Sequence, residues 1–269
     1  MTAVTQAQTQ PIQAREAGFV ADVISVAGRA LRQIPRDPES VLPALVVPVF
    51  FFVVNIGSLQ SITERGLKGF DFKAFQLPVA IIFAVTGVSR ASTLVLDIQG
   101  GYFDRLLMTP IRRLALLLGL MVADFTMVVA LGIPVVVLGL AVGVNFKTGP
   151  LGIVVFLIMA GTWGLVFTGF PYAIALKTGN PAAVNSSFIL FFPFAFLTTS
   201  FVPRAQLTGW LSTIAGYNPV TYVLEGLRAL VSHGWDAAAL GKGVAAIASV
   251  GLVSLSLALA ALRGRVARQ

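Results

Sequence analysis

Leu114 to Val142 reads LALLLGLMVADFTMVVALGIPVVVLGLAV, 29 residues in which Asp124 is the single ionisable side chain. About 20 apolar residues in a helix cross a hydrocarbon core of about 30 Å, so this stretch is long enough to span a bilayer and too apolar to face water. Directly before it stand Arg112 and Arg113, a basic pair of the kind that stays on the cytoplasmic side. Outward in both directions the pattern recurs, with apolar runs separated by short polar connections.

Six spans are predicted: Ser40 to about Ile62, about Phe75 to Leu96, Leu114 to Val142, about Leu151 to Leu176, about Val184 to Val202, and about Val244 to Leu262. Pro43, Pro48 and Asn55 lie inside the first, which a membrane helix tolerates where neighbours satisfy the freed carbonyls. Residues 40–262 therefore read as one transmembrane domain of an all-α membrane protein.

The composition agrees. Hydrophobic residues make up 57% of the 269-residue chain, charged residues 11%, and the mean hydropathy is +0.88, against roughly 25% charged residues in a soluble domain. The net charge of +8 forms no basic face interleaved with aromatics, which argues against nucleic acid and for anchoring at anionic lipid. Cysteine is absent, so disulfides and thiolate metal sites are excluded.

Residues 1–13 are polar and lack the basic start and apolar run of a secretory signal; they read as a disordered cytoplasmic tail. Ala14 to Arg36 (14–36) reads as an amphipathic interfacial helix. Phe19, Val20, Val23, Ile24, Ala27, Leu31 and Ile34 recur near helical spacing, and Arg15, Glu16, Asp22, Arg29 and Arg32 mark its polar side. Pro35-Arg36-Asp37-Pro38 ends it.

With the N-terminus inside, eleven Lys and Arg fall in cytoplasmic connections and seven in outer ones, with Arg90 inside the second span. This bias, with Arg263, Arg265 and Arg268 in a basic tail over 263–269, puts both termini of a multi-pass membrane protein in the cytoplasm. Two connections are more than tethers. The cytoplasmic segment 97–113 carries Asp104, Arg105, Arg112 and Arg113 for charge-assisted contacts, Leu106, Leu107 and Met108 to fill a groove, and the Thr109-Pro110 step to break the chain. The plain alternative is a solvated basic loop. The outer segment 203–242 reads as two short helices broken at Asn218-Pro219, with Trp210 and Tyr222 on them and Glu225 and Arg228 spaced to pair.

Several chemistries are missing. No Gly-x-x-x-x-Gly-Lys-Ser/Thr phosphate cradle occurs, so ATP hydrolysis needs another chain. The single His233 offers no metal cluster, and no Gly-x-Ser-x-Gly or His-Glu-x-x-His is present. No catalytic, cofactor or metal residue is assigned. Arg90 and Asp124 are intramembrane ionisable residues, each needing a partner: they pair with one another, line a path, or Asp124 sits near the interface. Asn55, Asn185, Ser186, Ser187, Thr198, Thr199 and Ser200 read first as donors to neighbouring backbone rather than as a polar lining. From the residues alone an ion-coupled transporter resting on Arg90 and Asp124 stays open, as does a lipid-acting enzyme using His233 and Glu225.

The run Asp97-Ile98-Gln99-Gly100-Gly101-Tyr102-Phe103-Asp104-Arg105-Leu106-Leu107-Met108-Thr109-Pro110-Ile111-Arg112-Arg113 resembles the cytoplasmic connection of ABC type-2 exporter permeases, in particular the daunorubicin-resistance type. Phe201-Val202-Pro203, Gly209-Trp210-Leu211, Tyr217-Asn218-Pro219-Val220-Thr221-Tyr222 and Glu225-Gly226-Leu227-Arg228 are similar to that family's outer hairpin. Two departures stand out: the charged run before the glycine is reduced to Asp97, and Leu120 occupies a place where a basic residue is common in the family.

The resemblance implies a membrane subunit of an ATP-driven exporter that moves a hydrophobic or amphipathic small molecule or lipid outward. Its partners would be a cytoplasmic ABC ATPase, which binds the ATP and Mg, and a second permease subunit in a homo- or heterodimer within membrane lipid. It assigns ATPase docking to a coupling helix at Asp104, Arg105, Leu106, Leu107, Thr109, Pro110, Arg112 and Arg113. An outer gate is assigned to Trp210, Asn218, Pro219, Tyr222, Glu225 and Arg228.

Overall fold

A bilayer offers the backbone no water, so each spanning segment must bond its own peptide groups. The computed structural model describes residues 18–34, 38–66, 69–86, 88–107 and 113–267, and among the described residues all regular structure is helical. In chain order the helices are α1 (Phe19–Gln33), α2 (Pro38–Gly66), α3 (Phe72–Thr86), α4 (Ala91–Gln99), α5 (Tyr102–Leu107), α6 (Arg113–Ala141), α7 (Gly149–Phe167), α8 (Gly169–Thr178), α9 (Pro181–Ser186), α10 (Phe191–Phe196), α11 (Gly209–Tyr217), α12 (Pro219–Arg228) and α13 (Ala237–Val266). The protein is an all-helical membrane protein.

Five stretches are long and apolar enough to cross a membrane: Leu42–Gly66, Phe72–Gln99, Leu114–Ala141, Gly149–Thr178 and Ala237–Arg265. The second is not one rod, because helix lapses between Thr86 and Ala91. The stretch expected to span from Val184 to Val202 is shorter and broken. Pro181–Phe196 is apolar and consists of α9, a 3-10 turn Ser187–Leu190 and α10. After Phe196 the helix ends where the Thr198 and Ser200 hydroxyls both donate to the Ala195 carbonyl, satisfying a group the next helical turn would have bonded.

The last crossing starts earlier than expected. Asp236 accepts from the Ala238 and Ala239 amides and caps α13 at Ala237, so Lys242 belongs to that helix and not to the hairpin. Gly226 and Gly243 let α12 and α13 touch: a Cβ on Gly226 would stand 3.2 Å from the Ala239 carbonyl oxygen, and one on Gly243 3.1 Å from the Tyr222 carbonyl oxygen.

The amphipathic helix is present as α1, and one residue of its expected polar side, Asp22, turns inward. Its first expected turn and its last residues fall outside the described residues. Asp22, placed on the polar side, is buried with Val26, Ala27 and Ala30, while Val20 and Ile24 are 67% and 64% exposed. The small residues pack on α6 at Gly119, where a Cβ would lie 2.6 Å from Val26 Cβ, and the bulky stripe is left for lipid.

Two apolar cores lie along the bundle. One joins α1, α4, α5, the first half of α6, α8, α9 and the end of α13, through residues such as Val26, Leu94, Phe103, Leu117, Leu176 and Leu262. The other joins α2, α3, the second half of α6, α7, α10, α12 and the start of α13 around Trp163, Phe156 and Leu224. At the first end Gln99 donates to the Gly179 carbonyl and Arg265 lies over the Phe103 ring. At the opposite end the Lys147 amide donates to the Val231 carbonyl, Thr148 Oγ1 to the Leu230 carbonyl and Lys73 Nζ to the Val142 carbonyl. The chain between Gly179 and Val231 therefore travels from one end of the molecule to the other.

Candidate functional site

At the first end, α4 stops at Gln99 and Gly101, with a φ of 68°, turns the chain into α5. The turn aims Tyr102 outward and buries Phe103. Arg29 of α1 reaches this corner twice: its Nη2 donates to Asp97 Oδ2 at 2.7 Å and its guanidinium sits 4.5 Å from the centre of the Tyr102 ring. Together with the Gln99 bond to Gly179, the corner is held by α1, by the end of α8 and by the apolar core beneath Phe103.

Of the residues expected to dock a partner, Arg105 is exposed and Leu106 packs on the first core. Thr109, Pro110 and Arg112 lie outside the described residues, as do the side chains of Asp104, Leu107 and Arg113.

Just inside the corner are Arg90 and Asp124, both buried. The structure brings them together, though not as an ion pair. Where helix lapses before α4, the Arg90 amide donates to Asp124 Oδ1 at 3.1 Å, and Tyr172 donates its hydroxyl to Asp124 Oδ2 at 2.7 Å. The Arg90 guanidinium turns away and Nη1 donates to the Ala30 carbonyl of α1. A carboxylate here satisfies an orphaned amide at a helix start, where negative charge is favoured. The cluster ties α1, α4, α6 and α8 together. Tyr172 was not singled out from the sequence; the signal was an intramembrane acid without a donor and a tyrosine in the neighbouring span.

At the other end the hairpin is built around a second buried charge. Asn218 caps α12 by accepting from the Val220 amide, Pro219 fills the first helical position, and Asn218 Nδ2 donates to the Phe194 and Leu197 carbonyls at 2.8 and 2.9 Å. Arg228 is spent on the same break: Nη1 donates to Thr199 Oγ1 and Nη2 to the Thr199 carbonyl, both at 2.8 Å, and Nε to the Phe75 carbonyl at 3.2 Å. Its guanidinium lies 3.6 Å from the centre of the Phe75 ring.

Glu225 is not bonded to Arg228. It meets Arg204, 3.2 Å away, whose guanidinium also faces the Tyr222 ring at 5.6 Å. Partial burial works against the Arg204 charge, but Glu225 and Tyr222 outweigh it and its pKa sits above the ordinary arginine value. Tyr222 donates its hydroxyl to the Gly216 carbonyl, and Trp210 is 69% exposed. No group of three metal-ligating side chains occurs among the described residues.

The family model described as "ABC-2 type transporter" matches residues 22–231. The "Daunorubicin resistance ABC transporter permease protein DrrB1" of Streptomyces coeruleorubidus is 26% identical over 238 residues, covering 84% of this chain and 80% of that protein. The "Probable doxorubicin resistance ABC transporter permease protein DrrC" of Mycobacterium tuberculosis is 23% identical over 220 residues, covering 80% of this chain and 79% of its own length.

Proposed function

The chain belongs to the ABC-2 type transporter family, a permease subunit whose ATP site is on a separate ATPase, and from that premise we propose that it exports a hydrophobic or amphipathic small molecule through a cytoplasmic lever at the α4–α5 corner. The names of its relatives support a drug-like cargo. The observation that carries the lever is the Arg29 contact with Asp97 and Tyr102, with Asp124 directly behind it: a push on α5 reaches α1, α6 and α8 through groups already bonded to one another. Arg105, Leu106 and the residues flanking them supply the face for the ATPase, and a second permease subunit completes the path.

We place both termini and the α4–α5 corner in the cytoplasm, with six crossings. The support is that α1, α5 and the end of α13 meet at one end of the bundle, while the hairpin lies at the other. The return from Gly179 to Val231 is then the remaining crossing, broken in the middle and made whole by Asn218, Thr198, Ser200 and Arg228. The hairpin with Trp210, Asn218, Pro219, Tyr222, Glu225 and Arg228 serves as the outer gate, its outer side pinned by Arg204.

The experiment is co-reconstitution with the cognate ATPase into vesicles. ATP-dependent movement of a fluorescent anthracycline that vanadate abolishes is the expected result; movement unaffected by vanadate, or by leaving out the ATPase, refutes the mechanism. Labelling a cysteine at position 105 from outside intact cells would invert the orientation.

A further inference from the structure

α8 and α13 lie side by side at the end of the bundle that holds the α4–α5 corner, and the seam between them opens into a groove of about 670 Å³. Its depth is set by side-chain size. Ala260, Ala261 and Gly264 share one face of α13, at the three- and four-residue spacing of a helical stripe, and nothing lies within 4 Å of where a Gly264 Cβ would stand. Opposite them Phe170 and Ile174 of α8 form an apolar wall. At the mouth stand two cations, Lys177 and Arg265, and no acidic residue lines the groove.

Lys177 is exposed. Arg265 is stacked 6.0 Å from the centre of the Phe103 ring, and its Nε is buried with no hydrogen-bond partner among the described residues. A guanidinium pairs well with phosphate oxygens.

An apolar trough with two cations at its end complements a molecule with an anionic head and a hydrocarbon tail. We propose that the groove between α8 and α13 binds an anionic phospholipid of the cytoplasmic leaflet, its phosphate at Lys177 and Arg265 and an acyl chain along Ala260, Ala261 and Gly264. Only the choice of leaflet rests on the orientation given above. The bound lipid joins the end of α13 to Phe103 of α5, and so sits against the lever.

The test is native mass spectrometry of the purified full-length chain, released from detergent after incubation with phosphatidylglycerol or phosphatidylcholine. The wild type should retain phosphatidylglycerol preferentially. The Lys177→Gln, Arg265→Gln double variant should lose affinity by about fivefold per cation. Gly264→Leu keeps both charges and extends into the trough from a Cβ position with nothing within 4 Å, and should weaken retention at a melting temperature no lower than wild type. Should the double variant fold poorly, exposed Lys177→Gln and Gly264→Leu still decide the matter. Equal retention of the two lipids overturns the site, as does a Gly264→Leu variant that binds like wild type or glycerol 3-phosphate competing as well as the lipid. Neither ATPase nor orientation enters the assay, so a failure here leaves the transport reading standing, and a failure of transport leaves the lipid site standing.

Discussion

The two ends of the bundle solve the same problem with opposite charges. Near the α4–α5 corner a helix restarts after a lapse and leaves an amide exposed, and the Asp124 carboxylate takes it together with the Tyr172 hydroxyl. At the hairpin the broken return segment leaves the Thr199 carbonyl and hydroxyl facing inward, and the Arg228 guanidinium takes them together with the Phe75 carbonyl. The anion sits at a helix start, the sign a helix dipole favours there; the cation reaches oxygens three residues past the end of α10 and in the first turn of α3. Buried charge in this protein repairs backbone, and the exposed charges nearby, Arg29 with Asp97 and Arg204 with Glu225, link elements at the surface. The difference between ends lies in what is attached: the anion is connected to the α4–α5 corner that we propose as a lever, the cation to the hairpin that we propose as a gate.

If that symmetry holds, removing either buried charge should cost far more than removing either surface pair, and the cation more than the anion because it serves three acceptors. Arg228→Leu should therefore be the most damaging change, lowering unfolding free energy in mixed micelles by about 3 kcal/mol or more as acceptors lose their donor. Arg228→Lys should recover part of this, since an ammonium cannot present the same fork. A melting temperature close to wild type for Arg228→Leu would break the comparison.

Asp124→Leu comes next, at about 2 to 3 kcal/mol, with the Arg90 amide and Tyr172 hydroxyl left unpaired. Asp124→Asn, which keeps an acceptor, should lose less. Tyr172→Phe should cost about 1 kcal/mol or somewhat more, measured the same way, because it removes one hydrogen bond to a charged group.

Asp97→Ala separates mechanics from stability. The Arg29 pair is partly exposed, with side chains 29% and 18% accessible, so its loss should cost at most about 1 kcal/mol. Transport per ATP hydrolysed should nonetheless fall several-fold in vesicles, and exchanging the two charges, Arg29→Asp with Asp97→Arg, should restore part of it. Unchanged coupling in Asp97→Ala would remove α1 from the lever. The smallest effect belongs to Glu225→Gln, about 0.2 to 1 kcal/mol for a pair that is more open to water. That loss should shrink further as salt rises.

Much of the architecture is legible without coordinates because lipid imposes a length. The helices α2 and α6 follow from apolar runs preceded by Pro38 and Arg113, and most of α13 from the run read as starting at Val244, although the helix begins at Ala237. The readings that shift are those that depend on neighbours. Val184 to Val202 has the hydropathy of a span, but hydropathy is blind to Thr198 and Ser200 bonding back to Ala195, which ends the helix at Phe196. The spacing of Glu225 and Arg228 suggests a pair; Arg228 instead finds the Thr199 oxygens on the preceding segment and the Phe75 carbonyl on α3, and Glu225 finds Arg204 twenty-one residues away. In α1 the sequence shows an apolar side, yet Gly119 on α6 offers a notch that accepts Val26, and the helix docks by the side carrying Val26, Ala27 and Ala30.

The amino-acid order by itself determined that this chain lives in a bilayer, roughly where five stretches long and apolar enough to cross it lie, that it has no phosphate cradle, and which connection resembles a coupling segment. These are local properties, fixed by the free energy of moving side chains from water to hydrocarbon and by short motifs. Tertiary structure alone decided which buried charge serves which backbone group, that Arg29 grips Asp97 and Tyr102, and that α8 and α13 leave a groove with two cations at its mouth. Those outcomes rest on hydrogen bonds between residues 29 to 153 positions apart, whose strength depends on ångström distances that no one-dimensional pattern contains.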